Sequence, residues 1–132
     1  GVSVEESYTE PLPNLDLDEK YIKQALLNII KNAIGAMPKG GELLIRTIID
    51  AGDVVLQISD TGVGVPDENI AKIFEPYFTT KHQSQGTGLG LYMTHKIVNE
   101  SFHGSIYVNN CEFEYNNNKY FGAKFSVEIP IV

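Results

Sequence analysis

Two asparagines, Asn28 and Asn32, lie four residues apart beside an apolar stripe. Side chains with this spacing share one face of a helix, so the two amides are expected to point the same way. An amide oxygen is a neutral ligand for a hard cation such as Mg²⁺, which keeps water and phosphate oxygens in its other positions. The pair therefore suggests a contact with a metal and phosphates, although two ordinary polar helix residues would give the same pattern.

A single carboxylate, Asp60, ends an apolar run and is followed by Gly62, Gly64 and Val65. Glycine allows a backbone to approach a flat ring closely. A buried ionised carboxylate needs a hydrogen-bond donor, and the exocyclic amine of adenine is such a donor. We expect these residues to bind a purine, while the segment alone is equally consistent with a strand-ending turn that the Asp side chain caps.

Residues 74–91 combine a polar stretch with glycines at positions 86, 88 and 90. The glycines open a predicted helix, whose free N–H groups and positive dipole end favour phosphate. Lys81 can reach phosphate oxygens, and the polar residues 82–85 can fold over a ligand. The P-loop motif G-x-x-x-x-G-K-[ST] is absent, and Leu91 and Asp67 stand where a dinucleotide fingerprint needs its third glycine.

Hydrophobic periodicity places these segments on a simple framework. A helix is predicted from Asp18 to about Met37, with a core stripe of Ile22, Leu26, Ile29, Ala33 and Met37. The other predicted elements are strands at 2–8, 42–50, 53–60, 105–110 and 121–129, a short helix at 67–74 and a long one from 88 to about 101. Residues 112–119 are expected to form an exposed hairpin loop. The order predicts an α/β (α+β) two-layer sandwich, with about three helices on one face of a mixed, mostly antiparallel sheet of about five strands.

The composition restricts the class of partner. The 132 residues suit one domain, and the net charge is −7 with Arg46 as the only arginine. The lack of a basic cluster counts against nucleic acid and an anionic membrane surface, whereas a metal and oriented backbone donors can hold a triphosphate on an acidic protein. No apolar run approaches the roughly 20 residues of a membrane helix. Cys111 is the only cysteine, which favours a reducing, cytoplasmic location.

The order and spacing of the three segments resemble the ATP-binding catalytic domain of two-component sensor histidine kinases, in the GHKL family shared with DNA gyrase, MutL and the heat-shock ATPase chaperones. Residues 24–37 resemble the N box, 60–65 the first glycine box, 74–81 the F box and 86–91 the second glycine box. The resemblance covers roughly residues 15–130, and residues 36–41 and 74–81 are most similar to the nitrogen-regulation type. It implies the Bergerat fold, with ATP and Mg²⁺ as cofactors.

The resemblance also implies roles for individual residues. Asn32 would be the Mg²⁺ ligand, Asn28 a second ligand or phosphate contact, and Asp60 the acceptor for adenine N6. The other nucleotide contacts would come from Gly62, Gly64 and Val65 along the base, from Phe78, Thr79, Thr80 and Lys81 in a mobile lid, and from Gly86, Thr87, Gly88, Leu89, Gly90 and Leu91 at the phosphates. Asn28 and Lys81 would be the catalytic residues.

The identity of Asn28 separates two reactions within the family. Related ATPases carry a glutamate at this helix position to activate water, whereas an amide has no useful basicity and cannot act as a general base. This favours phosphate transfer to a histidine imidazole, which is already a nucleophile, and predicts slow ATP hydrolysis. Gly35 stands where many sensor kinases carry a basic residue, and Lys31 or Lys81 would supply that charge.

The predicted function is that of a kinase catalytic module. In the family, the phosphoacceptor histidine lies on a separate dimerisation hairpin, and none of His82, His95 and His103 has the flanking acidic residue of the acceptor motif. The expected partners are that hairpin and, downstream, a response regulator, with no nucleic acid and no direct membrane contact. The domain alone is expected to be a monomer. A GHKL-type ATP hydrolase and a nucleotide-sensing binding module are the alternatives.

Overall fold

The computed structural model describes residues 2–8, 19–76, 78, 89–115 and 117–131. The elements in chain order are β1 (Val2–Tyr8), α1 (Glu19–Gly35), β2 (Gly41–Asp50), β3 (Asp53–Asp60), α2 (Asp67–Ile70), α3 (Gly90–Lys96), β4 (Ser105–Tyr115) and β5 (Asn118–Pro130). A π-helical turn, Ile97–Ser101, continues α3. No described helix is long and apolar enough to cross a membrane.

The described strands form one five-stranded sheet in the order β1-β2-β3-β5-β4. β1 runs parallel to β2, and the other neighbours are antiparallel. Ala51 and Gly52 join β2 to β3 with φ angles of 51° and 86°, the backbone of a tight two-residue hairpin turn. The mixed, mostly antiparallel sheet confirms the prediction from the sequence.

The hydrophobic core lies between one face of the sheet and the helices. Alternate residues of β5 are buried there, namely Ala123, Phe125, Val127 and Ile129. Helix α1 contributes Ala25, Ile29 and Ala33 to the same cluster, with Ile22 and Leu26 partly buried beside it. This period of two in the strand and near four in the helix is the pattern expected of a two-layer sandwich.

The predicted hairpin at 112–119 is present and its described side chains are exposed, but the prediction that the whole segment forms a loop is wrong. β4 continues to Tyr115, β5 begins at Asn118, and their register pairs Cys111 with Gly122 and Tyr115 with Asn118. The strands continue because each supplies the hydrogen-bonding partner of the other, a cross-strand effect that a polar composition does not reveal. Asn117, with a φ of 64°, turns the chain.

Two helices are shorter than predicted. α2 ends at Ile70 instead of residue 74, and the chain then continues in turns, with the Lys72 N–H bonded to the Asn69 carbonyl at 2.8 Å. α3 is α-helical only to Lys96, after which the backbone widens into the π-helical turn. Asp18 and Gly88, the predicted starts of the two long helices, lie outside the described residues.

Candidate functional site

Asp60 lies at the end of β3, where the strand leaves the core. The residue is 1% exposed. Its Oδ1 accepts a hydrogen bond from the Gly62 N–H at 2.9 Å and a longer one from the Ala123 N–H at 3.4 Å. No described residue donates to Oδ2. Within the described residues, the side chain is therefore oriented through Oδ1 alone.

The electrostatics of Asp60 suit a binding group. Burial raises the pKa of this carboxyl above its ordinary value, and the N–H groups of Gly62 and Ala123 offset part of that rise. A buried carboxylate is costly until it is hydrogen-bonded. A donor on a ligand would therefore gain more here than at an exposed aspartate.

The backbone after Asp60 packs closely against the end of α1. A Cβ added at Gly62 would lie 2.5 Å from the Ala36 carbonyl oxygen, so only glycine fits without a shift. Ala36 is one helical turn beyond Asn32 and donates its N–H to the Asn32 carbonyl at 3.1 Å. The helix that carries the amide pair and the loop that follows the carboxylate are therefore neighbours.

The far end of this loop is held by a residue that the sequence analysis did not identify. The Val65 N–H donates to Oδ1 of Asn110 at 2.7 Å, and Nδ2 of Asn110 donates to the Val65 carbonyl at 2.5 Å. Gly64, just before Val65, has a left-handed φ of 78°. The available signal was the alternation of β4, in which Ile106 and Val108 face the core and Asn110 continues that series with an amide.

Asn28 joins α1 to the start of α3. Its Nδ2 donates to the Gly90 carbonyl at 3.1 Å. The same carbonyl accepts the buried Thr94 hydroxyl at 2.9 Å. Asn28 thus lies against the described part of the second glycine segment. A phosphate contact from Asn28 would require this proximity, because the glycine segment is the predicted phosphate-binding segment.

The Asn32 side chain is half-buried, like that of Asn28. Across the described ranges there is no cluster of three or more His, Cys, Asp or Glu side chains. The side chains of Asn28 and Asn32 each offer an amide oxygen on the same face of α1. They suit an ion that keeps several waters and takes other ligands from phosphate, which is how Mg²⁺ is usually bound.

The structure describes only some of the remaining predicted nucleotide contacts. Phe78, Val65 and Leu91 are partly buried and pack against the core cluster, and Leu89 caps α3. Six further predicted contacts lie outside the described residues: Thr79, Thr80, Lys81, Gly86, Thr87 and Gly88. Their roles stay predictions, as does the proposed contribution of Lys81 to phosphate charge.

Residues 17–132 match the family model HATPase_c, described as the histidine kinase-, DNA gyrase B- and HSP90-like ATPase. The chain belongs to this family. Sporulation kinase E of Bacillus subtilis (strain 168) is 30% identical over 99% of the chain and 16% of that relative. Sporulation kinase C of the same strain is 45% identical over 63% of the chain and 19% of that relative. The chain thus spans less than a fifth of the length of either relative.

Solved structures resemble the fold of this HATPase_c domain closely. A nucleotide-free catalytic domain of histidine kinase ThkA matches with a TM-score of 0.79 at 31% identity, covering 98% of this chain and 78% of that one. Full-length ShkA in complex with AMPPNP matches with a TM-score of 0.78 at 30% identity, covering 98% and 26%. ThkA in complex with the response regulator TrrA matches with a TM-score of 0.69 at 27% identity, covering 98% and 34%. These neighbours confirm the sandwich and the histidine kinase type of catalytic domain, while the nitrogen-regulation subtype stays a prediction.

Proposed function

We propose that this chain binds Mg-ATP and donates the γ-phosphate to a histidine on a separate dimerisation hairpin of a sensor kinase. The observation that carries the proposal is the Asp60 carboxylate, buried and oriented through Oδ1 while Oδ2 receives no donor from the described residues. A purine amine is a donor that fits such an acceptor. Gly62, in the loop that follows, lets the backbone pack closely against the Ala36 carbonyl at the end of α1.

In this proposal, the residues at the end of β3 bind the base. Asp60 accepts the hydrogen bond from adenine N6, and Gly62, Gly64 and Val65 lie along the ring. Gly62 has a second task, because a side chain there would collide with the Ala36 carbonyl and push the loop away from α1. The position of the base is therefore fixed by one charge-assisted hydrogen bond and by the close packing of the loop.

In this proposal, α1 and the segments that pack beside it bind the metal and the phosphates. Asn32 holds Mg²⁺, with Asn28 as a second ligand or a phosphate contact. When bound, the metal neutralises charge on the transferring phosphoryl group. The backbone N–H groups from Gly86 to Leu91, with Lys81 and the lid residues Phe78, Thr79 and Thr80, hold the phosphate oxygens. Asn28 is already against the Gly90 carbonyl, which ties the amide pair to that segment.

Transfer to histidine is favoured over hydrolysis by the chemistry of Asn28. An amide cannot remove a proton from water, whereas an imidazole nitrogen attacks phosphorus without a base. The new N–P bond forms as the bond from the γ-phosphorus to the bridging oxygen breaks, and ADP leaves. The phosphate then passes to a response regulator, the class of partner found in complex with ThkA. The domain itself works as a monomer in the cytoplasm, without nucleic acid or membrane contact.

The test mixes this chain with a separately prepared acceptor hairpin and γ-labelled ATP. We expect label on the hairpin histidine as an acid-labile, base-stable phosphate, with little free phosphate released. The matched control is Asp60→Ala, which should abolish labelling at low ATP concentration. Bound nucleotide without labelled histidine would favour the binding module, and rapid release of phosphate would favour the hydrolase.

A further inference from the structure

Asn110 makes a two-point contact with the loop that carries Gly62 and Gly64. Its Oδ1 accepts the Val65 N–H at 2.7 Å, and its Nδ2 donates to the Val65 carbonyl at 2.5 Å. This side chain therefore satisfies both backbone groups of one residue, much as a neighbouring strand would. The two residues are 45 positions apart in the chain, so the contact is purely tertiary.

The contact closes a loop that is already fixed at its other end. There, Asp60 Oδ1 accepts the N–H groups of Gly62 and Ala123. Ala123 is also the partner of Asn110 in the β4–β5 register. One rung of the sheet thus supports both ends of the loop, the carboxylate through a backbone N–H and Val65 through the amide side chain.

We propose that Asn110 is a positioning residue for the nucleotide base, because it fixes the Asp60–Val65 loop in its binding conformation before the nucleotide arrives. The inference rests on the proposed function, since it assumes that this loop lines the purine. Without the amide, Gly64 would be free to leave its left-handed conformation, and the loop would have to be ordered during binding. Ordering a mobile segment lowers affinity.

Only an amide of this length supplies the donor and the acceptor together. An aspartate at position 110 would keep Oδ1 for the Val65 N–H but would direct a second oxygen at the Val65 carbonyl. A serine offers one oxygen in place of two separate groups. Space is also limited, because a Cβ added at Gly64 would lie 2.7 Å from Asn110 Oδ1 and 3.1 Å from the Phe121 ring.

The experiment compares Asn110→Asp and Asn110→Ser with Asn109→Asp, a control on the exposed neighbouring position of the same strand. Two quantities are measured for each folded variant: the calorimetric Kd ratio of Mg-ADP to Mg-IDP, which differ in the 6-amino group, and the hydrogen exchange rate of the Val65 amide without ligand. A purely structural role would lower the melting temperature and leave the base preference unchanged. The Kd ratio therefore separates positioning from stability.

We expect the Asn110 variants to lose roughly 5- to 10-fold in Mg-ADP affinity, the size of one hydrogen bond, and to narrow the preference for Mg-ADP over Mg-IDP. Val65 should exchange faster in both variants and at the wild-type rate in Asn109→Asp. Unchanged Val65 exchange, or a base preference equal to wild type, would overturn the inference. If Asn110→Asp does not fold, the same two measurements on the milder Asn110→Ser variant test the inference. A wild-type chain that fails to bind Mg-ADP would instead refute the proposed function.

Discussion

The protein holds the strand-end carboxylate and the helix amides in different ways. Asp60 is buried, and backbone N–H groups from two different segments orient it. Asn28 and Asn32 are only half-buried, and the described contacts include a single side-chain hydrogen bond from this pair, to Gly90. The proposed purine side is thus built by the sheet, whereas the proposed metal side consists of amides on a helix surface.

This difference suggests how a nucleotide is recognised. The purine side is formed before binding, so its contribution should depend on the base and be insensitive to Mg²⁺. The helix side becomes complete only when phosphates and metal supply the other ligands. Substitutions on the two sides should therefore have separable effects on binding.

Asp60→Ala should produce the largest loss of nucleotide affinity. It removes a charge-assisted hydrogen bond of about 1.5–3 kcal/mol, which corresponds to roughly 10- to 150-fold in Kd. The loss should be the same with Mg²⁺ and with a chelator. Calorimetry checks this, and an unchanged affinity would contradict the adenine role.

Gly122→Ala should destabilise the part of the sheet that supports Asp60. A Cβ at this position would overlap the Asp60 carbonyl oxygen. Overpacking of this kind costs about 1–3 kcal/mol of unfolding free energy, which denaturant titration measures. The control is Gly90→Ala, whose Cβ would have Asn28 as its nearest described neighbour, at an ordinary 3.8 Å. Equal stability of the two variants would show that β5 does not support Asp60 closely.

Asn32→Ala should affect the helix side alone. We expect its affinity loss to appear with Mg²⁺ and to vanish when the metal is chelated, because an amide oxygen contributes to nucleotide binding through the ion. The measurement is a pair of calorimetric titrations with ADP, one in each condition. A loss of equal size in both would reassign Asn32 to packing.

Asp60→Asn should stabilise the ligand-free domain slightly. The raised pKa of Asp60 means that the folded state holds the ionised form poorly, so the protein loses stability as the pH rises through that pKa. The asparagine keeps an acceptor for the Gly62 N–H without the charge. Its melting temperature should exceed that of wild type at pH 7, and the difference should shrink as the pH falls towards the ordinary range of an aspartate.

Local patterns predicted the parts of this molecule that local physics decides. The α1 stripe, the alternation of β5 and the glycine turn between β2 and β3 were all readable, because each follows from a period or a backbone preference. The extension of the last hairpin could not be predicted in this way, because it depends on pairing between β4 and β5, such as that of Phe113 with Tyr120. The polar composition of that region instead favoured a loop.

The candidate site shows the same division. Asp60, Gly62 and Asn28 could be named from their segments, and the structure brings their elements together around α1. Asn110 could not be named in this way, because its hydrogen bonds are to Val65, which lies 45 residues away in the chain. The end of the alternating series Ile106, Val108, Asn110 was the one local hint.

The most direct test of the account is the preference for Mg-ATP over Mg-ITP in wild type and in Asp60→Asn. ITP carries an acceptor oxygen in place of the 6-amino donor of ATP. The Gly62 and Ala123 N–H groups should hold the asparagine oxygen at the Oδ1 position, which leaves its amino group facing the base. We predict that wild type prefers ATP and that the variant loses or reverses this preference. The same preference in both proteins would contradict a hydrogen bond between Asp60 and the 6-amino group of the purine.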